Sequence, residues 1–317
     1  MKDGWGRRID YLRLSLTDLC NFRCIYCMPP EGIVKLPRES MLRFEEIVEI
    51  VRVMTGRLGI RKVRLTGGEP LIRRDIETLV RGLASIDGIE DLAMTTNGYF
   101  LASKAEGLRR AGLQRVNVSL DTLDRRRFER ITRIDGLPAV LQGLAAARKA
   151  HLEPVRINAV SMEETLDEAA DLVAFGLEHG YEVRFIELMP TGAGPGGHYV
   201  PNARVIEAVS KRFSLTPLGP DGPSAARYYA IGDTGARCGF ISPVSHPFCS
   251  TCNRLRLRGD GRVFPCLADS ASYDLMPYVR PRFDADGLET FLRWIVRSRK
   301  KASGRADVLR SMYALGG

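Results

Sequence analysis

The chain has no apolar segment at its N-terminus and no later apolar stretch long enough to cross a bilayer. Met1-Lys2-Asp3-Gly4-Trp5-Gly6-Arg7-Arg8 is polar and runs straight into a strand-like segment, which predicts a cytoplasmic protein without a membrane partner. No repeat beyond a βα unit and no low-complexity tract occurs, so the chain reads as ordinary globular sequence. A disulfide framework is equally unsupported. The seven cysteines are an odd number, and six fall into two tight groups, a pattern of metal-bound thiolates in a reducing compartment.

What is present suffices for a large core: 317 residues, 44% hydrophobic, as one domain or one domain with a smaller appendage. Lys and Arg total 47 against 38 Asp and Glu, and the net charge of +9 favours an anionic ligand, nucleic acid or nucleotide. Part of the excess lies in Arg293-Trp294-Ile295-Val296-Arg297-Ser298-Arg299-Lys300-Lys301, which reads as a solvated helix face.

The first cysteine group is Cys20-Asn21-Phe22-Arg23-Cys24-Ile25-Tyr26-Cys27. Thiolates this close usually share a metal. A 4Fe-4S cluster takes four cysteines, and no fourth is near, so one iron would stay open to a small molecule. Open metal positions are catalytic rather than structural, by the logic that separates zinc sites; a zinc site is the alternative here.

The second group, Cys249-Ser250-Thr251-Cys252 with Cys266 thirteen intervening residues later, again has three thiols. Cys238 or His246 would complete a zinc ribbon, although Cys238 also reads as a small buried thiol. Asn253-Arg254-Leu255-Arg256 follows directly. On a strand Arg254 and Arg256 project to one side, a fork suited to phosphate.

Runs rich in Val, Ile and Leu at 11–17, 62–67, 91–97, 115–121, 154–160 and 182–188 predict six strands. Helical periodicity falls between them at 43–58, 75–85, 101–111, 139–150 and 167–179. This order implies parallel strands with right-handed crossovers. The polar and glycine clusters come just after strands: the cysteines, Thr66-Gly67-Gly68-Glu69-Pro70, Thr95-Thr96-Asn97-Gly98, Ser119-Leu120-Asp121 and Glu187-Leu188-Met189-Pro190, with Asn158 near the end of the fifth strand. Loops that converge on one mouth favour a barrel over an open sheet. Six strands make it partial: a (βα)6 TIM-like α/β barrel. A Gly-rich connection at 191–197 and a helix at 201–213 close it, which divides the chain into a barrel, 1–213, and a C-terminal region, 214–317, where the alternation is lost.

The cradle, with an aromatic just before its last cysteine, resembles the radical S-adenosylmethionine (SAM) enzymes. Together with Asp10-Tyr11-Leu12-Arg13-Leu14-Ser15-Leu16-Thr17-Asp18, Arg64-Leu65-Thr66-Gly67-Gly68-Glu69-Pro70, the Cys249 to Arg256 stretch, Cys266 and the terminal Gly316-Gly317, it resembles one branch of them over essentially the whole chain. That branch is the GTP 3′,8-cyclases, lyases of the first step of molybdenum cofactor biosynthesis. The resemblance implies a partial barrel whose C-terminal extension carries a second cluster. It implies two 4Fe-4S clusters, on Cys20, Cys24 and Cys27 and on Cys249, Cys252 and Cys266. The first cleaves SAM to a radical that takes the ribose 3′ hydrogen of GTP; attack on C8 gives (8S)-3′,8-cyclo-7,8-dihydroguanosine 5′-triphosphate. SAM contacts carry over to Tyr26, Gly68, Ser119 and Met189. GTP contacts carry over to Arg13, also catalytic, and to Arg64, Thr95, Arg156, Arg254, Leu255 and Arg256. Relatives commonly have Lys at 156, and the Gly-Gly tail of relatives threads into the active site. The resemblance further implies a reductant such as flavodoxin or ferredoxin, transfer of product to cyclic pyranopterin monophosphate synthase and no nucleic-acid partner, and it leaves room for a homodimer. Two other readings stand beside it: a zinc-ribbon nucleic-acid-binding protein, and a radical SAM enzyme acting on peptide or tRNA.

Overall fold

The computed structural model describes residues 1–33, 36–190, 197–219, 222–269 and 271–301. The Gly316-Gly317 tail and most of the Gly-rich connection lie outside the described residues.

Six strands stand where the apolar runs predict them: β1 (Tyr11–Ser15), β2 (Lys62–Thr66), β3 (Asp91–Thr96), β4 (Arg115–Ser119), β5 (Arg156–Ser161) and β6 (Glu182–Glu187). They pair in chain order and all in parallel. The crossovers are α1 (Phe44–Leu58), α2 (Ile76–Ala84), α3 (Leu101–Arg110), α4 (Arg125–Thr132), α5 (Leu137–Lys149) and α6 (Ala169–His179). On α1 the 3.6-residue period buries Ile47, Ile50, Val51 and Met54. A capping box starts that helix, with Arg43 N–H donating to Glu46 at 2.7 Å, and Gly59 ends it in the left-handed conformation at φ 79°.

Residue parity along the strands sets up the site. Leu12, Leu14, Val63, Leu65, Val116, Val118, Ile157 and Val183 are buried in the helix-covered core. The alternate residues, Tyr11, Arg13, Arg64, Asn117, Arg156, Asn158 and Arg184, line a cavity on the other face. Parallel strands buried on both faces normally read as continuous apolar runs. Polar residues on the inner face therefore mark a surface that meets a ligand.

Beyond α7 (Asn202–Ser210) the expectation of lost alternation is half met. Helical crossovers stop, but the strands do not: β7 (Leu215–Pro217), β8 (Ala226–Ile231), β9 (Arg237–Ile241), β10 (Arg254–Leu257), β11 (Arg262–Phe264) and β12 (Tyr273–Asp274) join the same sheet. β9 pairs parallel to β6 and β10 parallel to β1, so the C-terminal residues flank the six strands on both edges. The sheet order is β12-β11-β10-β1-β2-β3-β4-β5-β6-β9-β8-β7. The short α8 (Met276–Val279) and then α9 (Ala285–Arg297) follow. α9 buries Leu292, Ile295 and Val296 and leaves Trp294 half exposed. The basic run is thus solvated only in part, because the helix ends at Arg297 and Arg299 turns inward. Among the described residues no helix is long and apolar enough to cross a membrane.

Candidate active site

One cavity of about 660 Å³ opens on the inner face of the sheet, and both cysteine groups line it. Cys20, Cys24 and Cys27, all half-buried, occupy the loop that leaves β1. That loop has no regular structure of its own and is held from outside. Arg23 and Ile25 N–H donate to the carbonyls of Thr132 and Ile131 at the end of α4, each at 2.9 Å. Phe22 packs edge-on against Tyr99 and Phe128, with ring centroids 5.9 and 5.8 Å away. α4 itself escapes sequence periodicity because Phe128 and Ile131 are its only large apolar residues among four arginines. Asn97 Nδ2 donates to Asn21 at 2.8 Å and approaches Cys20 Sγ at 3.8 Å. Burial pushes the Cys20 thiol up to about 11 and raises Cys24 well above an ordinary thiol.

The glycines after β2 let two loops touch. A Cβ on Gly67 would meet the Thr17 carbonyl at 2.8 Å, and one on Gly68 would run into the Leu19 carbonyl. The neighbouring Glu69 is buried and accepts from Thr96 Oγ1 and Asn97 N, both at 2.7 Å, and from Leu71 N at 3.0 Å. Burial lifts its carboxyl to about 7. Tyr26 donates to Asp121 at 2.8 Å, and Asp121 also accepts Val160 N–H at 2.8 Å, which ties the cradle to the ends of β4 and β5. Burial lifts Asp121 to about 6. Glu69 and Asp121 stand in motifs that the sequence singles out, yet their bracing role shows only in three dimensions.

The second group is assembled by a hairpin. Cys249 sits in a 3-10 turn, Cys252 precedes β10, and the antiparallel pairing Arg256↔Phe264 brings β11 and then Cys266 back alongside. Burial alone would raise the Cys252 thiol, but the guanidiniums of Arg254 and Arg299 hold it below the usual value. Cys238 is fully buried on β9, and burial pushes its thiol up to about 12.

Between the two groups lie rungs of matched residues. Arg256, Arg13 and Arg64 pair in register across β10, β1 and β2. Arg254, Tyr11 and Lys62 form the rung below, while Thr95, Asn117 and Arg156 pair across β3, β4 and β5. Ser119, Asn158 and Arg184 form another, in which Arg184 donates to Asn158 Oδ1 at 3.0 and 2.7 Å. Burial lowers Arg13 to about 10 and Arg184 to about 10; burial and then the charges of Arg13 and Arg254 lower Arg256 to about 9. Tyr11 shows the converse. Burial alone would raise it, but Arg64, Arg13 and Arg254 bring it down to about 7. Arg64 Nε donates to its hydroxyl at 3.0 Å, while Arg64 Nη1 and Asn117 Oδ1 lack hydrogen-bond partners among the described residues. Crowded buried cations and orphaned polar atoms are the mark of an anionic, hydrogen-bonding ligand.

The cavity lining includes Arg13, Tyr26, Arg64, Gly68, Thr95, Ser119, Arg156, Met189, Arg254, Arg256 and all six clustered cysteines. Arg156 shares its charge with Glu182 through an ion pair. Leu255 is the exception: strand parity turns it away from its arginine neighbours, and its side chain is fully buried in the core. Sequence reasoning missed Tyr11, Asn117 and Arg299. For Tyr11 the signal was available, two residues before Arg13 on the same strand face.

Comparison with known proteins follows the same lines. Residues 14–176 match the model of the Radical SAM superfamily, and residues 181–304 match Molybdenum Cofactor Synthesis C. The chain is 45% identical to the GTP 3′,8-cyclase of Pelotomaculum thermopropionicum over 88% of either protein. It is 41% identical to the GTP 3′,8-cyclase of Mycolicibacterium smegmatis over 99% of this chain and 91% of that one. The structure of Streptococcus suis SuiB bound to precursor peptide SuiA superposes with a TM-score of 0.68 at 18% identity, covering 94% of this chain and 69% of SuiB, a likeness of fold.

Proposed function

The chain belongs to the GTP 3′,8-cyclase family of the radical SAM superfamily, and from that premise we propose that this cavity cyclises GTP in the first step of molybdenum cofactor biosynthesis. The observation that carries the reading is the arginine rung Arg256, Arg13 and Arg64, set in one cavity between two three-thiol groups.

Cys20, Cys24 and Cys27 suit a 4Fe-4S cluster with one open iron: they are three thiols from one braced loop, and all three line the cavity. When bound, that cluster and SAM supply the 5′-deoxyadenosyl radical that takes the ribose 3′ hydrogen. The residues of the chain arrange what surrounds it. Gly68 exposes backbone to the SAM methionine moiety, Tyr26 is fixed from behind by Asp121, and Ser119 and Met189 complete the SAM side. Arg13, Arg64, Arg156 and Thr95 hold the triphosphate and ribose, and Arg254 and Arg256 close the end beside the second group. Leu255 contributes through its backbone.

Cys249, Cys252 and Cys266 would hold the second 4Fe-4S cluster, and three thiols would leave one of its irons without a cysteine from this group. A zinc ribbon would need a fourth ligand beside these three, and Cys238 is packed in the buried core instead. Action on a peptide or tRNA would leave the arginine rung without a task. An external electron donor of the flavodoxin or ferredoxin class and a product-consuming pterin synthase complete the scheme.

The test is anaerobic reconstitution with iron and sulfide, then incubation with SAM, reductant and GTP. About eight irons per chain and GTP-stimulated 5′-deoxyadenosine formation are expected. Iron for only one cluster, or 5′-deoxyadenosine formed at the same rate without GTP, would sink the reading. The combined change Cys249→Ala, Cys252→Ala and Cys266→Ala should keep slow SAM cleavage and abolish cyclisation.

A further inference from the structure

Arg299 is 3% exposed, and its Nη2 approaches Cys252 Sγ at 3.7 Å. Its Nε and Nη1 find no hydrogen-bond acceptor among the described residues. The nearest counter-charge is Asp3, whose Oδ2 stands 3.8 Å from Nη1. A buried donor left unsatisfied costs about 1–3 kcal/mol, and more on a charged group. Such a guanidinium, lining the cavity beside a thiol and only 3.8 Å from Asp3, keeps two N–H groups for an acceptor that the described residues do not supply.

The surroundings hold Arg299 in that position. Asp3 lies in an N-terminal hook closed by the Lys2↔Arg8 bridge and accepts from Trp5 N at 3.0 Å, Arg7 N at 2.9 Å and Arg7 Nε at 2.6 Å. Arg7 in turn donates to the carbonyls of Cys249 at 3.0 Å and Lys300 at 2.9 Å. Trp5 Nε1 donates to the Arg299 carbonyl at 2.8 Å. Lys300 Nζ reaches Asp269 at 3.0 Å, and Asp269 N–H donates to the Cys266 carbonyl at 3.4 Å. The hook and the 299–300 segment thus grip both stretches that carry the second thiol group, the Cys249–Cys252 turn and the segment around Cys266.

We propose that Arg299, held by the Asp3–Arg7 hook, is a positioning residue for the cluster on Cys249, Cys252 and Cys266, donating to the Cys252 thiolate and balancing the cluster's negative charge. The inference rests on the reading that these thiols hold a cluster. A cation and N–H donors at cluster sulfurs favour the reduced, more negative state, so they raise the reduction potential and slow loss of iron.

The experiment uses the full chain with Cys20→Ala, Cys24→Ala and Cys27→Ala, so that only the second group can load. It is reconstituted anaerobically and followed by iron content and by redox titration under electron paramagnetic resonance. Adding Arg299→Gln should shift the potential to more negative values and speed chelator-driven iron loss several-fold. Arg299→Lys, which keeps the charge without the fork, should recover part of both. An unchanged potential and iron-loss rate in Arg299→Gln overturns the proposal. A parent that takes up no iron overturns the underlying cluster reading instead. If Arg299→Gln takes up no iron, native far-ultraviolet dichroism with loading restored in Arg299→Lys supports the proposal. Lost dichroism in both variants reduces Arg299 to a structural role and overturns it.

Discussion

Arg13 on β1 and Arg256 on β10 occupy paired positions of adjacent parallel strands and face the same cavity, although they come from opposite ends of the chain. Two like charges so placed oppose folding, and a ligand anion reverses their sign of effect. Arg256→Ala should raise the GTP dissociation constant about tenfold to a hundredfold, the equivalent of one charged hydrogen bond of about 1.5–3 kcal/mol. The thermal midpoint of the ligand-free protein should stay level or rise, since the Arg256 cation is disfavoured by burial and by Arg13 and Arg254. Calorimetric titration with GTP and a melting curve check both, and an unchanged dissociation constant would remove Arg256 from the site.

Tyr11 gives the cavity a pH signature. Its hydroxyl is ordinarily an acid near 10 and stands at about 7 in the fold, so folding favours the phenolate. The contribution to stability is full above about 10, declines as pH falls toward about 7 and vanishes below it. Tyrosinate absorbance near 295 nm should titrate around neutrality, move to higher pH when GTP is added, and be missing in Tyr11→Phe. A tyrosine titration confined to pH 10 would contradict this.

Gly68→Ala tests the contact between the loops after β1 and β2. A methyl there meets the Leu19 carbonyl, which is backbone and cannot swing aside. Overpacking of this kind costs about 1–3 kcal/mol. Iron bound by the first cysteine group should fall while that bound by the second persists, as read from iron content with and without the Cys249, Cys252 and Cys266 changes.

Cys238→Ala separates packing from ligation. The thiol is fully buried and kept protonated by burial, so iron content should not change. Stability should fall by about 1 kcal/mol for the lost sulfur contact. A loss of iron would make Cys238 a ligand.

Much of this was legible in the sequence because it follows from parity and spacing. Six parallel strands announce themselves as apolar runs separated by helical periods, and Arg254 and Arg256 share a face because they are two apart. The same rule turns the Leu255 side chain, a contact carried over from the resemblance, into the core. Pairings that join distant segments leave no local trace: nothing in Arg254–Leu257 says that it lies against β1, or in Arg237–Ile241 that it lies against β6. α4 was hidden by its arginines. Arg299 was hidden for the opposite reason, since a charge in a basic run looks solvated until the hook that buries it is seen. The carboxylates of Glu69, Asp121 and Glu187 brace loops, and Glu187 accepts from Asn202 N at 3.0 Å and Ser245 N at 2.9 Å, partners far along the chain.

The β1–β10 pairing also orders events in time. During synthesis β1 is among the first segments to leave the ribosome, and its second neighbour follows roughly 10–50 s later at about 5–20 residues per second. For that interval one edge of β1, just before the first cysteine group, stays open and is a hazard for stray strand pairing. Arrival of β10 then covers that edge and brings Arg256 beside Arg13 in the same step, so one pairing both closes the sheet there and completes the arginine rung.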